Sequence, residues 1–64
     1  MIRVNGADRP WEGDVVAALV AAMGLDGRGI AVAVNGEVVA RSAWASVPVP
    51  EGAIVEVVTA AAGG

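Results

Sequence analysis

Few residues in this sequence could do acid–base or nucleophilic chemistry. The chain contains no cysteine and no histidine, which excludes disulfides, Cys/His zinc sites and thiol nucleophiles. All four of its basic residues are arginines. Paired carboxylates remain, because glycosidase-type catalysis needs two of them a few ångströms apart. Glu12 and Asp14 are close in sequence, but we assign Asp14 to the cap of a helix and predict that the chain is not an enzyme.

A glycine-rich stretch, G-L-D-G-R-G at residues 24–29, resembles a phosphate-binding loop. Such loops follow a strand and open a helix, whereas this stretch follows a predicted helix and opens a predicted strand. Gly24 also stands where a helix commonly ends on a left-handed residue. We interpret the stretch as a helix-to-strand connection.

The chain finishes with T-A-A-A-G-G, from Thr59 to Gly64. Glycine loses more conformational freedom on ordering than any other residue, so two terminal glycines need a reason. They are either part of a frayed end or part of a thin tail that enters another molecule. The tail by itself leaves both interpretations open.

The charge and the length of the apolar runs exclude two kinds of partner, nucleic acid and membrane. The net charge is -3 and the arginines are scattered, so we expect no nucleic-acid binding, which needs clustered basic residues. The longest apolar run, residues 15–23, is far shorter than the roughly 20 residues that span a bilayer, and we expect no membrane association. Asn5, Gly6 and Asp8 interrupt any signal peptide. We therefore expect a cytoplasmic protein.

The elements that would position a tail can be read from hydrophobic periodicity. Ile2 and Val4 begin a strand, and Asn5-Gly6 predicts a tight hairpin turn. The second strand, residues 7–11, contains Pro10 and should lie at an edge or end early. Next comes one helix of about ten residues, whose apolar side chains recur at the helical spacing. Those side chains are Val16, Leu19, Val20 and Met23.

The second half reads as a hairpin, an irregular stretch and a last strand. Ile30, Val32 and Val34 alternate with small residues, and Asn35-Gly36 predicts another hairpin turn. Residues 41–50 are irregular, with one possible helical turn, and Glu51-Gly52 forms a turn. In the last strand, alternation places Val55 and Val57 on one face. Ile54, Glu56 and Val58 are on the other face.

This order of elements defines the fold class. One helix covers only one face of a sheet, so the other face stays open. Since the helix links two hairpins, the first and last strands can meet in parallel at the centre. We predict an α+β fold of the ubiquitin-like β-grasp type, with a mixed sheet of five strands packed on one main helix.

Two features of the predicted fold bear on partners. Of the two tryptophans, we assign Trp44 to the core, while the pattern gives no preference for Trp11. The open face carries Val58 and part of the 30–40 hairpin, and a contiguous apolar patch there would be a partner site. That face leads directly into the small-residue tail.

The sequence resembles the thiamine-biosynthesis sulfur carrier family, ThiS, over essentially its whole length. The similarity rests on A-V-A-V-N-G-E-V-V-A-R-S-A-W-A-S, with Arg41 and Trp44, and on E-G-A-I-V-E-V-V-T-A-A-A-G-G. Two departures stand out. Ala53 replaces the aspartate usual in the family, and Ala60 to Ala62 replace a segment that usually holds a bulkier aliphatic residue.

The resemblance implies a carrier that is itself a substrate. The Gly64 carboxylate would be adenylated by an E1-like, ThiF-like adenylyltransferase that uses ATP and Mg²⁺. This chain would bind no cofactor. A sulfurtransferase or cysteine desulfurase would supply sulfur as a persulfide, which leaves a thiocarboxylate for a ThiG-like thiazole synthase.

The same resemblance implies the roles of the last residues. Gly64 would be modified, Gly63, Ala62 and Ala61 would enter partner active sites, and Val58 and Ala60 would form the partner-binding surface. We divide the chain into a β-grasp domain at residues 1–60 and a flexible tail at residues 61–64.

Three alternatives stay open at this point. The carrier could serve molybdopterin or another sulfurated metabolite. It could be a ubiquitin-like modifier that is joined to lysine side chains. It could also be a passive β-grasp interaction module whose tail is incidental.

Overall fold

The computed structural model describes residues 1–59. These residues form a five-stranded sheet with the strand order β2-β1-β5-β3-β4, packed on one helix. The strands are β1 (Ile2–Val4), β2 (Ala7–Arg9), β3 (Ile30–Val34), β4 (Glu37–Val39) and β5 (Ile54–Thr59). The helix is α1 (Val16–Ala22), and a 3₁₀ turn follows β4 at Arg41–Ala43. The predicted α+β fold of the β-grasp type is confirmed.

The sheet is mixed because the first and last strands of the chain, β1 and β5, run parallel. β5 lies at the centre, parallel to β1 and antiparallel to β3. Two antiparallel hairpins flank this pair, and β2 lies at an edge and ends before Pro10, as that proline predicts. Asn5 and Asn35 both have a φ of 50°, followed by Gly6 and Gly36 at positive φ, as a tight hairpin turn requires.

The core lies between α1 and one face of the sheet. Val16, Leu19 and Val20 of α1 are buried against Val32 and Val55. The helical spacing and the strand alternation predicted these inward faces, and both are confirmed. Trp44 is also buried, and its indole Nε1 donates to the Val39 carbonyl O at 3.0 Å. Trp11 is half-buried at the margin and donates to the Val49 carbonyl O at 3.2 Å.

The start of α1 differs from the prediction that Asp14 caps its first turn. The capping residue is Val15, which forms no side-chain cap, and Asp14 Oδ1 accepts instead from the Val15 N–H at 2.7 Å. The first helical N–H groups are satisfied by carbonyl groups of the irregular stretch. Val16 N–H donates to Val47 O and Ala17 N–H donates to Trp44 O, both at 2.9 Å. A side-chain cap is not needed where tertiary carbonyls already accept these bonds.

The end of α1 agrees with the prediction, although the helix is shorter than expected. Gly24 has a φ of +76°, its N–H donates to Ala21 O at 3.0 Å, and Leu25 N–H donates to Val20 O at 3.2 Å. This pair of bonds is the Schellman motif, which closes a helix on a left-handed glycine. The stretch 24–29 is therefore a helix-to-strand connection, as predicted.

Candidate functional site

The last strand leads from the centre of the sheet toward the glycine tail. Val55 and Val57 of β5 are buried in the core, whereas Ile54, Glu56 and Val58 are exposed on the open face. On one side β5 pairs with β3 from Val34↔Val55 to Ile30↔Thr59, which includes the end of the strand. The chain thus reaches Thr59 as part of a regular sheet rather than as a loop.

The open face carries an apolar surface beside the end of β5. We call Ala31, Ala33, Val38 and Val58 the open-face patch. Register places Ala31 opposite Val58, and Ala33 opposite both Val38 and Glu56. Val38 is 78% exposed and Val58 is 58% exposed. Together with Glu56 these residues line a shallow depression of about 150 Å³.

The two exposed valines flank the alanines of β3, and a contiguous exposed apolar surface is typical of a partner site. The predicted partner-binding residue Val58 lies within this patch. Glu56 contributes one carboxylate near its middle and forms no ion pair with any residue in 1–59. A partner that covers the patch would therefore be apolar and would gain from one cationic group placed opposite Glu56.

The side chain of Asn5 joins this end of the sheet, which sequence reasoning did not find. Its Oδ1 accepts from the Val57 N–H at 2.8 Å, and its Nδ2 donates to the Val57 carbonyl O at 2.9 Å. We predicted Asn5 only as a turn residue. The signal that could have found this role is the choice of Asn, since Gly and Asp also suit such a turn but cannot make both bonds.

The other side chains that could take part in catalysis or metal binding do not come together in one site. Glu12 and Asp14 are both exposed along a shallow groove beside α1. Within residues 1–59 no three acidic side chains come close enough to hold a metal ion. No helix in that part of the chain is long and apolar enough to cross a membrane.

The predicted tail residues, Ala60, Ala61, Ala62, Gly63 and Gly64, lie outside the described residues, as does the predicted domain boundary after residue 60. What the structure places is the strand and the apolar face that come directly before them. A sequence model of the ThiS family matches residues 2–64, which includes the tail. The chain belongs to the ThiS family.

A solved structure supports this membership. The chain is similar to the crystal structure of a thiamine biosynthesis protein (ThiS) from Geobacter metallireducens, with 30% sequence identity and a TM-score of 0.80. The match covers 98% of this chain and 97% of that one. A search of curated proteins found no match.

Within this ThiS-family chain, the structure describes the surroundings of the Arg41 and Trp44 pair and of Ala53, one of the two departures from the family pattern. The Arg41 guanidinium lies over the Trp44 ring, 5.9 Å from its centroid, which joins the 3₁₀ turn to the core. Ala53, which stands where the family usually has aspartate, is buried, and its carbonyl O accepts from the Arg3 N–H at 3.0 Å. At this position the small apolar side chain suits its surroundings.

Proposed function

We propose that this chain is a sulfur carrier of thiamine biosynthesis whose reactive group is the Gly64 carboxylate. The observation that carries the proposal is the family match, which extends over residues 2–64 and so includes the terminal glycines. The name of the similar crystal structure, a thiamine biosynthesis protein, favours thiazole synthesis over a molybdopterin product. The carrier is a substrate, and the catalytic groups belong to its partners.

The first step is adenylation by an E1-like activating enzyme. A carboxylate oxygen of Gly64 attacks the α-phosphorus of ATP, the bond between the α- and β-phosphates breaks, and pyrophosphate leaves. Mg²⁺ and cationic groups of the partner stabilise the charge that develops on the phosphates. The product is an acyl adenylate, in which AMP is a good leaving group.

Sulfur enters in the second step. The terminal sulfur of a partner's persulfide attacks the acyl carbon, and AMP leaves. A thiol of the sulfur-donating machinery then cleaves the acyl disulfide, which leaves a thiocarboxylate on Gly64 and a disulfide on the machinery. This chain has no cysteine of its own that could capture the adenylate. A thiazole synthase then accepts the sulfur.

The described residues suit this role in two ways. β5 is the central strand and pairs with β3 as far as Thr59, so the tail follows directly from a regular strand of the sheet. The open-face patch lies beside the end of that strand and offers a partner apolar contact next to the tail. Glycines at positions 63 and 64 keep the tail thin, because a side chain there would crowd the carbonyl under attack.

The test is intact mass spectrometry of the carrier. The purified chain is incubated with an E1-like activating enzyme from the same organism, ATP, Mg²⁺ and a persulfide donor. We expect an acyl adenylate without the donor, and with it the mass change of one oxygen replaced by sulfur. A chain that forms neither product would contradict the proposal. Covalent adducts on lysines of other proteins, without thiocarboxylate, would indicate a protein modifier instead.

A further inference from the structure

The strand that leads to the tail loses its β1 neighbour early. β1 pairs with β5 only at Arg3↔Ile54 and Val4↔Val55, and the last backbone bond on this side is from Asn5 N–H to Val55 O at 2.9 Å. The chain then turns away at Gly6, while β5 continues to Thr59. The end of β5 would therefore be paired on its β3 side alone.

Backbone direction makes this gap specific to Val57. Alternate residues of a strand point their N–H and C=O groups toward opposite neighbours. Ala53 O and Val55 O accept bonds from β1 and its turn, whereas the groups of Ile54 bond to Asn35 on the opposite side. Val57 consequently points its N–H and C=O toward the side on which β1 has already ended.

The Asn5 side chain occupies that gap. Its carboxamide accepts from Val57 N–H at 2.8 Å and donates to Val57 O at 2.9 Å, in a part-buried position. One planar amide thus supplies both the donor and the acceptor that a longer β1 would have supplied from two of its residues. Asp at position 5 could accept but not donate when ionised, and Gly could do neither.

The second Asn-Gly turn provides an internal comparison. Asn35 has the same φ of 50°, and its Oδ1 accepts from Ile54 N–H at 2.9 Å. It therefore holds the first residue of β5, far from the tail. Asn5 and Asn35 share their turn chemistry and differ in which end of the strand they hold.

We propose that Asn5 is a positioning residue for activation of the tail, an inference that rests on the proposed function. By holding Val57, its amide replaces the missing β1 neighbour at the end of β5, which is otherwise paired only with β3. It thereby limits the number of residues that a partner must order. Ordering one released residue would weaken binding about 5- to 30-fold. Loss of the amide therefore raises the KM of the activating enzyme for the carrier and leaves kcat unchanged.

The test compares Asn5→Gly and Asn5→Asp with the control Asn35→Gly. Glycine keeps the turn and removes the side chain at either site. Asn5→Asp keeps the size and shape of the side chain but replaces the donor with a carboxylate oxygen that faces the Val57 carbonyl O. Kinetics are measured with an E1-like activating enzyme by ATP–pyrophosphate exchange, at a temperature at which circular dichroism shows every variant folded. Amide hydrogen exchange is followed by NMR at Val58, which pairs with Ala31 of β3 and does not bond to Asn5.

We expect both Asn5 variants to raise the KM for the carrier about fivefold or more. We also expect both to speed amide exchange at Val58 relative to exchange at Ala33. The control Asn35→Gly should change neither the KM nor this ratio of exchange rates. An equal rise in KM for Asn35→Gly, or an unchanged KM in both Asn5 variants, would overturn the proposal, because a purely stabilising role predicts those results. If the wild-type chain is not adenylated, the proposed function fails and the positioning role fails with it. The exchange at Val58 would then still measure whether Asn5 holds the strand.

Discussion

The indole Nε1 of Trp44 donates to the carbonyl O of Val39 at 3.0 Å, across the turn that ends β4. The backbone carbonyl O of Trp44 accepts from Ala17 N–H at 2.9 Å, at the start of α1. Trp44 thus ties the second hairpin to the helix through both its side chain and its backbone. The irregular stretch that contains it is a structural part of the core.

Trp44→Phe should lower the free energy of unfolding by about 1–3 kcal/mol, because the Val39 carbonyl would lose a part-buried hydrogen bond and the smaller ring would fill less of the core. Urea unfolding followed by circular dichroism measures this change. Trp11→Phe is the matched control, since that indole also donates to a carbonyl, at 3.2 Å, but is only half-buried. Equal losses of unfolding free energy in the two variants would show that the deeper burial of the Trp44 indole adds nothing to stability.

Gly27→Ala should destabilise the fold more than Gly29→Ala. Both glycines have positive φ, at 88° and 64°, so alanine is strained at either position. At Gly27 an added Cβ would also come within 3.1 Å of the Trp44 ring, whereas at Gly29 it would meet nothing within 4 Å. We expect the difference in unfolding free energy to be about 1 kcal/mol or more, measured by the same urea titration. Equal effects would mean that the ring moves aside without cost.

Local rules explain what could be predicted from the sequence. The two Asn-Gly turns, the Gly24 helix end and the burial alternation of β5 each depend on residues near one another in the chain. Such features follow from backbone sterics and from the periods of helix and strand. Once these elements are placed, one helix and two hairpins leave few ways to bury the apolar faces.

What could not be predicted depends on residues distant in sequence. The N–H groups at the start of α1 bond to carbonyls at residues 44 and 47, so no local signal showed that Asp14 would not act as the cap. The bonds from Asn5 reach Val57, 52 positions away, and require the register of β1 on β5. A sequence shows that Asn5 suits a turn but not what lies beside that turn.

Val58→Glu should weaken activation while the fold is kept. Val58 is 58% exposed within the open-face patch, so a charge there should cost less than about 1 kcal/mol of folding stability. If a partner buries this side chain, its loss should raise the KM for activation about tenfold or more. Ala21→Glu, an exposed position on α1 away from the sheet face, is the matched control and should leave KM unchanged. The same KM in both variants would remove Val58 from the partner surface.

Gly63→Val should abolish or strongly reduce adenylation without changing the unfolding transition. The added β-branched side chain would widen the tail next to the proposed reactive carbonyl, where displacement by about 1 Å can reduce a rate about a hundredfold. Deletion of Gly64 moves the carboxylate back by one residue and should likewise prevent adenylation. Intact mass after incubation with the activating enzyme and ATP measures both. An adenylate on the Gly63→Val chain at the wild-type rate would show that the tail site tolerates side chains.

Ala61→Leu tests whether the alanine run at residues 60–62 determines the affinity of a partner for the tail. If the activating enzyme surrounds this segment with apolar groups, each additional buried CH2 contributes about 0.8 kcal/mol, which corresponds to about a fourfold lower KM. Ala61→Ser, similar in size to the wild type but polar, separates apolar burial from a general effect of substitution and should not lower KM. The measurement is ATP–pyrophosphate exchange at several carrier concentrations. A KM that is the same for Leu, Ser and Ala would mean that residue 61 is spacer, and that affinity comes from the glycines and from the open-face patch.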